Sequence, residues 1–195
     1  MNRRVAMLAA LALLSVPALA QPVPPVARGE ALLRAEAAAL VADPVVLEAL
    51  RRANREREGL TQGAIQALDQ RWREEAKGGP APFIRLHLDS PASDRLRQRR
   101  EASAGRIANL FVYDRLGLNV AQTWVSHDYW QGDEDQYRLT VPKGPGALQM
   151  GPEEQDDVVN RPVIAGSMTL TDPADGAVLG AVTVVFDLAG LRRSD

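Results

Sequence analysis

The sequence predicts an α+β fold in which N-terminal helices pack on an antiparallel sheet. Residues 30–103 carry apolar side chains at helical spacing, interrupted by Pro and Gly. After Gly105 the character changes to two β-rich hairpins, one near 107–125 and one closing the chain. Helices first and hairpins after is the order of an α+β domain, because a sheet of hairpins needs a second layer over its apolar face.

The opening MNRRVAMLAALALLSVPALA puts Arg3 and Arg4 before an apolar run and ends in Ala18-Leu19-Ala20, so residues 1–20 read as a secretory signal peptide. Residues 21–29 are Pro-rich and read as an extended leader. Residues 30–190 then make one domain, long enough to bury a core without staples. The first helix, about 30–42, aligns Leu33, Ala37, Leu40 and Val41. Asp43-Pro44 is an N-cap with proline at the first helical position, starting a helix with Val46, Leu47 and Leu50 on one face and Gly59 as its stop. Thr61 caps the next helix, Leu60 staples onto Ile65, and Ile65, Leu68 and Trp72 share a face. GGPAP at 78–82 breaks the pattern. FIRLHL follows as a short helix or extended piece, and Ser90-Pro91 opens a helix to about Ser103.

Strands are expected at about 107–113 and 118–125, joined at Asp114-Arg115-Leu116-Gly117. A further strand runs through Leu170, turns on Asp172–Gly176, and returns from about Val178 to Leu188. Pro162 makes the first part of the former an edge or a bulged entry. Residues 126–157 connect the hairpins, and a connection of that length is where function is expected.

Composition narrows the chemistry. With no cysteine, disulfides, thiolate nucleophiles and Cys metal ligands are excluded. Losing Arg3 and Arg4 with the signal takes the net charge from −2 to −4, which gives no pull toward nucleic acid or an anionic membrane. The basic run RLRQRR is a solvated helix face, since no aromatics are interleaved with it. No further run is long and apolar enough to span a bilayer after signal cleavage, so a periplasmic location is expected. The two histidines, His87 and His127, form no recognisable catalytic motif, and no dinucleotide, P-loop or zinc signature occurs. No cofactor is implied.

The connection contains SHDYWQGDEDQY, with aromatics and four carboxylates in twelve positions. Its acids, Asp128, Asp133, Glu134 and Asp135, have the types of a carboxylate hydrolase or a hard-cation site but not a defining spacing. A pocket suits the composition better: Tyr129 and Trp130 as walls, Asp128 and Asp133 as inward acceptors, and Asp133 capping a short helix that brings Tyr137 alongside. The competing reading packs the aromatics onto the sheet and leaves the acids in water. Trp124 can floor the same cavity or fill the core, and Arg161 can meet a ligand carboxylate or serve as a surface charge.

FVYDRLGLNVAQT, DYWQGDEDQY and PVIAGSMTLTDPADGAVLGAVTVVFDL, with the helical lead DPVVLEALRRAN, resemble bacterial extracytoplasmic single Cache domains, the PAS-like sensor modules, over about 30–190. The resemblance implies a PAS-like sheet with a ligand cavity between it and the overlying helices and loops, faced by Asp128, Tyr129, Trp130 and Asp133, with Tyr137 beside them. It also implies a non-enzymatic domain that senses a small organic acid, amine or amino acid, with a separate membrane receptor as partner because no output module is present. Where LTQGAIQ has Gly63 and Ala64, the group is expected to have Ala and Glu, so Thr61 lacks a capping-box partner.

Overall fold

The computed structural model describes residues 23–156 and 160–193; the expected signal peptide and the first residues of the leader lie outside them. Five helices come first: α1 (Pro25–Ala42), α2 (Pro44–Glu56), α3 (Gln62–Ala76), α4 (Pro82–Leu88) and α5 (Pro91–Ala102). The strands are β1 (Ile107–Asp114), β2 (Asn119–Gln122), β3 (Leu148–Asp156), β4 (Arg161–Thr171) and β5 (Val178–Asp187), in the antiparallel order β2-β1-β5-β4-β3. Two short helices, α6 (Asp135–Arg138) and α7 (Leu188–Arg192), complete the set among the described residues. None of the described helices is long and apolar enough to cross a membrane.

Caps place the helix starts. Asp43 accepts from the backbone N–H groups of Val45 and Val46, Thr61 from Ala64, and Ser90 from Ser93. The leader departs from expectation, because the chain is helical from Pro25 onward. Proline is compatible with the first helical turn, whose N–H groups have no intrahelical partner. At this end the Arg28 guanidinium donates to the carbonyls of Leu191 (3.0 Å) and Arg193 (3.1 Å), fastening α1 to α7.

Alternation along the strands sorts the sheet into two faces. Leu110, Val112, Ile164, Leu170, Val182, Val184 and Phe186 point into one core with Leu33 and Leu40 of α1, Val46 and Leu50 of α2, and Leu96 of α5. On the other face Phe111, Tyr113 and Ala181 lie under Tyr137 and Val141. The connection expected to be irregular over 126–157 therefore supplies a cover through α6 and a 3₁₀ turn at Val141–Lys143, and then a fifth strand, β3. β4 as a whole is interior, with β3 on one side and β5 on the other, but its entry at Pro162 is paired with β3 alone. Proline is tolerated there because it faces Gln155 at the start of β4, before the β5 ladder begins at Val163–Asp187.

Candidate functional site

The segment Ser126–Tyr137 is laid over the β1–β2 hairpin by bonds to distant elements. Asp69 of α3 accepts from the backbone N–H groups of Tyr129 (2.9 Å) and Trp130 (3.0 Å), while its other oxygen receives Arg73 (2.8 Å). The Trp72 indole donates to the Ser126 carbonyl at 2.8 Å, and Asn119 donates to the Asp128 carbonyl at 3.1 Å. The Trp130 indole donates to the Leu116 carbonyl at 2.8 Å, and the Tyr137 hydroxyl to the Arg115 carbonyl at 2.8 Å. Both aromatics thereby clamp the hairpin turn.

Two glycines make this approach possible. Gly117 has φ +82, and a Cβ there would fall 2.8 Å from the Gly132 nitrogen. A Cβ on Gly132 would fall 2.4 Å from the Trp130 ring, so that glycine clears space for the indole.

Tyr129 is buried in a ring cluster on α3 and α4. It stacks on Trp72 at 5.4 Å between centroids and meets Phe83 and His87 edge-on, each at 4.9 Å. Its hydroxyl is the centre of a charged network: Arg57 Nη2 donates to it at 2.7 Å, and it lies 2.8 Å from His87 Nε2. Since His87 Nδ1 faces the Phe83 carbonyl at 2.8 Å and must donate to it, Nε2 of the neutral ring is the acceptor of the Tyr129 O–H. Arg57 also donates to the buried Asp114 carboxylate at 2.6 Å and to the carbonyls of Leu118 and Asn119, each at 3.2 Å.

Burial sets the protonation of this network. It pushes the Tyr129 phenol up to about 12 despite the opposing pull of Arg57, and it lowers His87 below the ordinary histidine value. Asp128 is also raised by burial, against the attraction of Arg73 at 3.2 Å.

Arg57, His87 and Tyr129 line a cleft of about 610 Å³ between α2, α4 and β2. Its walls are Leu68, Phe83, Leu86 and Val120, and its rim carries Glu48, Arg52 and Glu56. Its size is that of a small-molecule site. Four of the five Arg57 donors are spent on the protein, so Arg57 holds the floor in place, while the exposed Arg52 on the rim lies 3.9 Å from Glu56.

Of the residues expected to converge, only Tyr129 lines this cleft. Asp128, Trp130 and Tyr137 are engaged with Arg73, Leu116 and Arg115 respectively. Asp133 is exposed and does not cap α6, whose N-cap is Glu134 with no side-chain cap bond. Trp124 is 45 % exposed and lies with Arg161 on a separate groove. The polar residues of this arrangement that the sequence reading did not place at a site are Arg57, Asp69 and His87; the signal available was a polar residue in line with the apolar face, within α3 for Asp69, within α4 for His87 and just past the end of α2 for Arg57. Among the described residues no three His, Asp or Glu side chains cluster as metal ligands.

No family model matches the chain, and no curated protein matches it. Among solved structures it is similar to the sensory domain of the Campylobacter jejuni chemoreceptor Tlp3 with isoleucine bound, at 15 % identity and a TM-score of 0.42, over 86 % of this chain and 65 % of that one. The ligand-binding domain of the same receptor with 4-methylisoleucine gives 14 % identity and a TM-score of 0.40, over 84 % and 62 %. The ligand-binding domain of the Pseudomonas fluorescens chemoreceptor CtaA with L-alanine gives 14 % identity and a TM-score of 0.39, over 67 % and 52 %. The chain thus spans roughly half to two thirds of the length of the domains it matches.

Proposed function

We propose that this chain is a non-catalytic, extracytoplasmic sensory domain of the Cache type that holds a small metabolite, an amine, amino acid or organic acid, in the cleft between α2, α4 and β2. The observation that carries the reading is the Arg57–Tyr129–His87 floor. Its polar groups satisfy one another and are locked by Asp114 and the Phe83 carbonyl, so the cleft is organised before a ligand arrives. The apolar wall takes the body of the ligand, while Arg52, Glu48 and Glu56 on the rim take its charges. The segment 126–137 acts as scaffold: Asp128, through Arg73, and Trp130, through Leu116, fix the position of Tyr129. Export rests on the signal-like residues 1–20, and a separate membrane receptor reads the ligand state.

A thermal-shift panel of amines, amino acids and organic acids tests this. At least one ligand should raise the melting temperature saturably. The rise should vanish in Arg52→Ala and Leu86→Asp, whose side chains are largely exposed, and persist in Asp133→Asn. Loss in Asp133→Asn alone would move the site to the acidic loop. A folded protein that responds to no compound would leave a protein-interaction module. Turnover abolished by a single carboxylate-to-amide change would make it a hydrolase.

A further inference from the structure

A second groove, sharing no residue with the cleft, is formed where the end of α5, the start of β1 and Trp124, two residues past β2, meet the start of β4. It is lined by Arg100, Glu101, Gly105, Ile107, Ala108, Trp124 and Arg161 and holds about 440 Å³. Two features separate it from an ordinary surface depression. Trp124 is 45 % exposed, whereas Trp72 is fully buried and Trp130 is half-buried and bonded. The half-buried Arg100 guanidinium makes no hydrogen bond or ion pair among the described residues, although most arginines around it are paired.

We propose that this groove binds a small planar monocarboxylate. A guanidinium without a protein partner presents a fork of N–H donors matched to the two oxygens of a carboxylate. The indole offers a flat apolar face for the ring that carries the carboxylate, and Ile107 and Ala108 add apolar surface to the same lining. Arg161, which holds Asp187 through Nη1 at 2.9 Å, adds positive potential at the same groove. Glu101 is the one carboxylate in the lining; it repels a second negative charge and so favours a monoanion over a dianion.

The test uses the intact folded chain, ¹⁵N-labelled and titrated with benzoate while its three tryptophan indole resonances are followed; Trp124→Phe assigns the Trp124 signal. Benzoate should shift the Trp124 resonance saturably and leave those of Trp72 and Trp130 in place. Arg100→Gln should weaken binding at least about tenfold, the loss of one charge-assisted pair. Benzamide should bind more weakly than benzoate, and terephthalate more weakly still, with terephthalate recovering in Glu101→Gln. The proposal is overturned if the Trp124 signal does not saturate by about 20 mM benzoate, a free energy too small for a specific site. It is equally overturned if benzamide matches benzoate, if Arg100→Gln binds as the parent does, or if the shifts fall on Trp72 or Trp130. Because the two sites share no residue, either result leaves the cleft assignment standing or falling on its own panel.

Discussion

Asp69 is nearly buried and gives one carboxylate oxygen to two backbone N–H groups of the clamped segment, those of Tyr129 and Trp130. Its removal strands both donors in a dry interior. Asp69→Ala should therefore cost about 3 kcal/mol in the denaturant midpoint, whereas Asp133→Ala, on an exposed acid, should stay within about 0.5 kcal/mol. His87 carries a different liability, because a second ring proton would sit on the nitrogen that accepts the Tyr129 O–H, next to the Arg57 cation. Its folded pKa lies below the ordinary value, so the unfolded chain takes up the proton first. The stability from neutral His87 is complete above about pH 6.5 and is lost as the pH falls below it. Melting curves between pH 7.5 and 5 should show a decline that His87→Gln flattens; an identical decline in the variant would remove the histidine from the account. The sequence points to Tyr129 and Trp130 as two walls of one pocket; Tyr129 lines the cleft, Trp130 bonds the Leu116 carbonyl instead, and the groups that hold this segment are not legible. Arg57 and Asp69 meet this segment across 72 and 60 positions, and His87 across 42, separations over which neither spacing nor periodicity carries information.

At the level of elements, what was legible had a local cause. The starts of α2, α3 and α5 were visible because Asp43, Thr61 and Ser90 cap within three residues of themselves. Gly63 tests the same locality: it lies in the first turn of α3, and an added Cβ there would meet nothing within 4 Å. Gly63→Ala should stabilise the protein by about 0.5–1 kcal/mol, chiefly by restricting the unfolded chain, with an upward shift of the denaturation midpoint as the readout. The strand β3 was not legible. LQMGPEEQD holds Gly151, Pro152 and several polar residues, and its alternation breaks where the ladder shifts register between Met150 and Glu153. It is a strand because β4 offers it an edge, a cause located elsewhere in the chain. The beginning of α1 was misread for the opposite reason, since Pro24 and Pro25 suit an extended leader as well as a first helical turn.

For the molecule as a whole, helices followed by hairpins was enough to obtain the α+β class, but not the double cover of the sheet. One face is packed by α1, α2 and α5, and the other by the segment of α6 and the 3₁₀ turn. That second cover consumes the aromatic Tyr137, which the composition alone offered equally to a pocket. The cleft lies instead between helices, on the side where α2 and α4 diverge over β2, and its floor is the side chain that the clamped segment shares with it, Tyr129. The stitch from Arg28 to the last carbonyls of α7 adds a mechanical property to this arrangement. The first and last described helices are thus fastened to each other as well as packed on the sheet, so a pull on either one is shared between the two.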